Sequence, residues 1–200
     1  MKDLKDIILE KLVINKNTKI NMYHYHPKDR DELKKLIKKL IEERGNEADL
    51  NDIDTSDIED MNSIFAYSDF NGDISNWDVS KVENMERMFT YSIFNGDISK
   101  WNVSNVINME AMFKHTIFDG DISKWDVNNV INMYGMFDGS KFNGDISKWN
   151  ISNVTDMRYM FTGSKFNGDI SKWNISNVKY VHDMFKNSPL EKNPPKWYHE

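Results

Sequence analysis

The sequence predicts a solenoid of stacked α/β repeats, each 24 residues long, preceded by a capping segment. The word FNGDISKW occurs five times, with two single-residue variations, starting at Phe70, Phe94, Phe118, Phe142 and Phe166. A tryptophan keeps the same interval from Trp77 to Trp197, and so does a Met-Phe word whose phenylalanines run from Phe65 to Phe185. A fixed interval of this length is the signature of units that bury a continuous core by stacking.

Within one repeat, the apolar pattern changes from one half to the other. Ile98-x-x-Trp101-x-Val103 has the LxxLxL spacing of a leucine-rich repeat, with a larger aromatic residue in the middle. We predict a short strand over Lys100–Ser104 that points Trp101 and Val103 inward. The segment Val106–Phe113 has spacings of three and four, which predict a short helix or 3₁₀ turn on the opposite face. The fold class is therefore a leucine-rich-repeat-like α/β solenoid.

The chain divides into an N-terminal cap (1–49), the solenoid (50–188) and a C-terminal cap or tail (189–200). In the cap, Asp29 or Asp31 can begin a helix that ends at Gly45. Its apolar stripe is Leu33, Leu36, Ile37, Leu40 and Ile41. Alternation over residues 20–26 predicts a strand, and residues 3–14 predict another short helix.

Composition limits the function classes. The first 49 residues carry 12 basic and 10 acidic side chains, and the remaining residues carry 14 and 22, so the solenoid is acidic and nucleic-acid binding is not expected. The chain has no cysteine, which excludes disulfides, thiolate metal sites and cysteine nucleophiles. No export signal or membrane span is visible, so we expect a cytoplasmic protein, or a cell-surface protein if a signal is missing from this sequence.

The repeated pattern FNGDISKWxVSNVxxMxxMF closely resembles the repeats of the BspA-type leucine-rich repeat family, which include those of mycoplasma surface lipoproteins. The resemblance covers about residues 50–188. It implies a curved solenoid of bacterial origin that binds proteins or host surfaces without known catalysis. The chain differs from the surface members in showing neither a signal peptide nor a lipobox cysteine.

Two surfaces are candidate partner-binding sites. The first is the outward sheet face, where side chains of the predicted strands form two parallel rows. These rows could bind a partner, or they could simply be a solvated surface. Its residues are Lys100, Asn102, Lys124, Asp126, Lys148, Asn150, Lys172 and Asn174. The second is the helical edge, where side chains vary between repeats as specific recognition requires, although drift at exposed positions would give the same variation. Its anchors are Tyr91, Tyr134, Arg158 and Tyr159.

Other recurring polar residues have structural explanations. Asp73, Asp97, Asp121, Asp145 and Asp169 could line up as calcium ligands, but acceptance of turn N–H groups is the preferred interpretation. His24 and His26 lack a third metal ligand at a suitable spacing. We therefore expect no cofactor, no metal and no catalysis. The hypothesis is a protein-binding module, such as an intracellular adaptor or inhibitor, that is a monomer or weak dimer; the alternative is a surface adhesin that binds host matrix.

Overall fold

A computed structural model describes residues 23–199. In this part of the chain, one α-helix, α1 (Arg30–Arg44), precedes the repeats, and one 3₁₀ turn, Pro189–Glu191, follows them. The repeats contain isolated parallel bridges. The predicted helix over residues 3–14 lies outside the described residues, and so do residues 20–22 of the predicted strand over 20–26. In the described part of that segment, Tyr25 forms a parallel bridge with Ile53.

Helix α1 begins and ends where the sequence predicts. The Asp29 carboxylate accepts the backbone N–H groups of Asp31 and Glu32, both at 2.9 Å, so Asp29 is the N-cap. Gly45 ends the helix with φ of 88°, a conformation that favours glycine. The side chains that α1 buries are Leu33, Ile37 and Leu40. The predicted helix and its apolar stripe are confirmed.

Consecutive 24-residue units are joined through their Met-Phe segments. In each such segment except the last, the backbone N–H of every second residue donates to a carbonyl oxygen of the next unit along the chain. In one unit these bonds run from Met85, Arg87, Phe89 and Tyr91 to Asn108, Glu110, Met112 and Lys114, at 2.7 to 3.0 Å. Five of the seven parallel bridges among residues 23–199 recur at the same position of each unit, linking Asp60, Asn84, Asn108, Asn132, Asp156 and Tyr180 in order. The units are therefore stacked in register.

This pairing lies in a different half of the repeat from the predicted strand. Lys100–Ser104 forms no bridge, although buried Trp101 and Val103 do alternate with exposed Lys100 and Asn102 as expected. The bridge lies instead at Asn108, in the segment predicted to be helical. The term sheet face therefore does not describe the surface of Lys100–Ser104.

The segment Val106–Phe113 is a series of four-residue turns. Met112 N–H donates to the Met109 carbonyl at 3.3 Å, and Lys114 N–H donates to the Ala111 carbonyl at 3.1 Å. Ala111 has φ of 51°, which no α-helix contains. In consecutive turns, as in a helix, side chains three and four residues apart point in the same direction. The apolar spacing alone therefore did not distinguish a series of turns from a helix.

The core is built from columns of stacked aromatic rings. The first column joins Phe65, Phe89, Phe113, Phe137, Phe161 and Phe185, with ring centroids 5.6 to 6.0 Å apart. The second joins Phe70, Phe94, Phe118, Phe142 and Phe166, 6.2 to 6.4 Å apart. All these rings are at most 1% exposed. Each unit thus completes the apolar environment of its neighbour.

The recurring tryptophan links units with a polar bond as well as with its ring. The indole N–H of Trp125 donates to the carbonyl of Ile98 in the preceding unit at 3.1 Å. Five further tryptophans repeat this bond to a carbonyl 27 residues earlier, at 3.0 to 3.2 Å: Trp77, Trp101, Trp149, Trp173 and Trp197. A buried carbonyl gains a partner that leucine could not supply.

Side chains close the stack at both ends. At the N-terminal end, Arg30 Nε donates to the Asn62 carbonyl at 2.7 Å and Lys34 Nζ donates to the Ser63 carbonyl at 2.9 Å. In later units, the carbonyls at the corresponding positions accept backbone N–H groups. At the other end, the ring of Tyr198 lies edge-on to Phe185, with centroids 4.9 Å apart. Both ends of the core are therefore covered.

Candidate functional site

The four lysines of the first predicted surface form an exposed row. Lys100, Lys124, Lys148 and Lys172 make no ion pair within residues 23–199. Each follows an aspartate by three residues. Hydrogen bonds from the intervening serine lower the pKa of Asp97, Asp121, Asp145 and Asp169, and the lysine charge lowers it further. Each lysine of the row thus has a carboxylate three residues before it in the same unit, which offsets its charge.

The second row of this surface is used by the fold itself. Asn102, Asp126, Asn150 and Asn174 each accept the backbone N–H two residues later, at 3.1 to 3.2 Å. Such Asx turns shape a corner of each unit. One side-chain oxygen of each residue is therefore engaged in its own turn, and the four side chains stay exposed beside the lysine row.

The second predicted surface contains an exposed aromatic stack. Tyr91 packs between two rings in neighbouring units: its centroid is 5.2 Å from that of Tyr67 and 4.6 Å from that of His115. Tyr67 is 76% exposed and Tyr91 is 47% exposed. His115 extends across Gly139, where an added Cβ would lie 2.2 Å from the imidazole Nδ1. The stack is therefore ordered by contact on both sides.

Three of the predicted anchors meet further along the same edge. The Arg158 guanidinium lies 5.2 Å from the ring centroid of Tyr134 and 5.0 Å from that of Tyr180. Its Nη2 pairs with Asp156 Oδ2 at 2.6 Å, and these hydrogen bonds raise the Arg158 pKa. Tyr159 meets Tyr134 edge to face at 5.4 Å. Cation–π contacts and the ion pair fix this arginine in one orientation.

We call the two clusters together the aromatic edge: Tyr67, Tyr91, His115, Tyr134, Arg158, Tyr159 and Tyr180. Tyr91 joins the first cluster and the other three predicted anchors join the second. The sequence interpretation did not choose Tyr67, His115 or Tyr180 as anchors. Alignment of the units in their 24-residue register reveals two of them, because Tyr67 and His115 hold the position of Tyr91.

The backbone at this position does not require an aromatic residue. Tyr67, Tyr91 and His115 have φ of 57°, 53° and 51°. The next two units place Gly139 and Gly163 there, with φ of 65° and 62°. A non-glycine residue in this left-handed region costs about 1–2 kcal/mol, while an aromatic pair contributes about 0.5–1.5 kcal/mol. Three residues carry this strain and only two ring pairs return stacking energy, so the aromatic residues give no gain in stability.

The repeated aspartates act as predicted. Asp73, Asp97, Asp121, Asp145 and Asp169 accept the N–H of the serine two residues later at 2.8 to 2.9 Å, which confirms their role in the turns. His24 and His26 face separate partners, Asp52 and Asp54, each with Nδ1 at 3.2 Å from the carboxylate. Over residues 23–199, no three metal-ligating side chains converge.

A family model described as Mycoplasma protein of unknown function, DUF285, matches residues 32–139 and 94–198. The chain belongs to this family. The two matches overlap and together include most of α1 and the stacked units, so repetition is a property of the family's own pattern. The resemblance to a mycoplasma repeat family is therefore correct at this level.

No curated protein and no solved structure matches the chain. Among residues 23–199, no helix is both long enough and apolar enough to cross a lipid bilayer.

Proposed function

We propose that this DUF285 protein is a non-enzymatic, protein-binding module. In this proposal its stacked units form a leucine-rich-repeat-like solenoid of the BspA type, and the aromatic edge contacts another protein. The observation that carries the proposal is the exposed aromatic stack built on positive-φ backbone. Tyr67 and Tyr91 occupy positions where Gly139 and Gly163 satisfy the same fold, so the fold itself does not explain these tyrosines.

The chemistry of the aromatic edge suits protein recognition. Tyrosine and arginine are enriched among residues that dominate binding energies, since they combine large apolar area with hydrogen-bonding groups. Neighbouring rings and Asp156 already restrict Arg158 and Tyr159, so less side-chain entropy is lost on binding. The lysine row is the weaker candidate because the aspartate three residues before each lysine offsets its charge.

The test is affinity capture with two variants that separate the surfaces. Tyr91→Asn/Tyr159→Asn removes two rings, and asparagine tolerates positive φ. Lys124→Glu/Lys148→Glu reverses two charges in the lysine row. Each immobilised protein is exposed to lysate of its source cells and, separately, to extracellular host material. Mass spectrometry identifies what each one retains, and circular dichroism verifies that the variants fold.

The proposal predicts a protein retained by the unmodified chain and by the lysine variant, but lost at least about tenfold with the tyrosine variant. Loss with the lysine variant alone would move the site to the lysine row. Retention only of extracellular material would favour the surface adhesin over the intracellular adaptor. If the tyrosine variant retains every captured protein, the aromatic edge is not the binding site.

A further inference from the structure

A groove lies between α1 and the first repeat, next to Tyr67 at one end of the aromatic edge. Its volume is about 490 Å³, within the range of small binding sites. Its apolar lining is Ile37, Ile41, Ile64, Phe65, Ala66 and Tyr67. Ile41 is only partly covered, and Tyr67 is the most exposed large apolar residue in the described chain, at 76%. The groove thus presents apolar surface that residues 23–199 leave uncovered.

The rim of this groove is positive in an otherwise acidic protein. Three lysines, Lys34, Lys35 and Lys38, line it with a single carboxylate, Glu42, whereas the whole chain has a net charge of −6. Lys34 is committed to the Ser63 carbonyl at 2.9 Å. Lys35 and Lys38 make no ion pair among residues 23–199. Two ammonium groups are therefore available at the opening of the groove.

We propose that this groove binds an acidic amphipathic segment of a partner protein, with apolar side chains against Ile41 and Tyr67 and carboxylates beside Lys35 and Lys38. The inference rests on the proposed protein-binding function and names the chemistry recognised at one end of the aromatic edge. Peptide segments that dock in this way combine apolar anchors in a groove with charge complementarity at its rim.

The shape of the site favours a peptide over a membrane surface. The apolar side chains line a concavity walled by α1 on one side and by the first repeat on the other. A bilayer binds an apolar face that protrudes from the protein. The flat surface of a membrane could not reach the apolar residues at the bottom of a groove. Ile37 and Phe65, at 2% and 1% exposed, lie on that floor.

The experiment is a selection from a random 12-residue peptide display library on the immobilised full chain. We expect the enriched peptides to combine apolar residues with aspartate or glutamate. One enriched peptide, synthesised with a fluorescent label, is then titrated by anisotropy. Lys35→Glu/Lys38→Glu should weaken its binding by about tenfold or more. Lys141→Glu/Lys165→Glu, which makes the same charge change at exposed positions outside the groove, should leave its affinity within about twofold.

Several outcomes would overturn the inference: no enrichment, enrichment of basic peptides, or equal sensitivity to both lysine variants. Stronger, Lys35- and Lys38-dependent binding to vesicles of phosphatidylcholine and phosphatidylserine would assign the groove to a membrane. Concentration-dependent dimerisation lost with Lys35→Glu/Lys38→Glu would assign it to a second copy. Peptide binding gained only after Ile7→Asp/Ile8→Asp would assign it to residues 1–22 of the same chain.

Different experimental results would refute the proposed function and the proposal for the groove. The tyrosine variant that tests the aromatic edge keeps Tyr67, Lys35 and Lys38 unchanged. If it loses its partner while the peptide still binds normally, both proposals stand. If peptide binding is absent and partner capture still depends on Tyr91 and Tyr159, only the groove is refuted.

Discussion

Replacement of Trp125 by phenylalanine tests whether the indole N–H holds neighbouring units together. Trp125 is 4% exposed, and its Nε1 lies 3.1 Å from the Ile98 carbonyl. A hydrogen bond of this kind contributes about 1 kcal/mol net. The Ile98 carbonyl retains the Trp101 N–H at 3.2 Å, so the full cost of a bare buried acceptor does not apply.

The lost ring volume adds to this cost. Full truncation of a buried tryptophan to alanine costs about 3–5 kcal/mol, and phenylalanine restores most of the lost contacts, which leaves a penalty of about 1–2 kcal/mol. The expected total is about 2–3 kcal/mol. Trp197→Phe is the matched control, because it removes the same bond, 3.0 Å long, from a half-buried residue at the end of the stack. We expect about 1 kcal/mol there.

Urea unfolding followed by far-ultraviolet circular dichroism measures both variants without depending on tryptophan emission. Stacked repeats can unfold in stages, so midpoints are compared only where the slope is unchanged. A Trp125→Phe effect below about 0.5 kcal/mol would refute the role given to the indole bond. Equal losses for Trp125→Phe and Trp197→Phe would refute the dependence on position in the stack.

Three further changes test other parts of the structure. Gly72→Ala should lower stability by about 3 kcal/mol in thermal denaturation, because its Cβ would lie 2.0 Å from the Ala48 carbonyl oxygen; an unchanged melting temperature would contradict this. Hydrogen bonds from Ser123 hold the Asp121 pKa below its usual range. The ionised Asp121 carboxylate therefore stabilises the fold above about pH 4, and this stabilisation is lost as the pH falls through the pKa of the folded state. Asp121→Asn should therefore flatten the acid limb of melting temperature against pH, and an unaltered limb would argue against it. Asp119→Asn should change the unfolding free energy by less than about 0.5 kcal/mol, since asparagine keeps the Oδ1 that accepts the Asn143 N–H at 2.7 Å; a larger loss in urea unfolding would show that the carboxylate charge matters.

The N-terminal helix illustrates what local sequence can establish. Asp29, Gly45 and the stripe through Leu33 and Leu40 fix the ends and the buried face of α1, because capping and amphipathicity depend on residues within one or two turns. The aspartate of each repeat was predicted equally well, since Asp97 bonds the N–H only two residues away. In these cases the interacting groups are close in the chain.

The backbone pairing was misplaced because it depends on contacts between units. Val106–Phe113 and Lys100–Ser104 both have apolar spacings compatible with the core, and only the N–H groups that reach the next unit distinguish them. Tyr180 could not be assigned to the candidate site for a similar reason. It contacts Arg158, 22 residues earlier in the chain, across the space between two units.

The sequence by itself determined the 24-residue interval, the core positions, the α1 cap and the turn aspartates, because repetition, burial and capping follow from spacing along the chain. Only the tertiary structure decided which half of each repeat carries the backbone bonds, which exposed rings meet, and that α1 leaves a lysine-rimmed groove beside the first repeat. Those features arise between units, where the positions of side chains depend on how the neighbouring backbone turns.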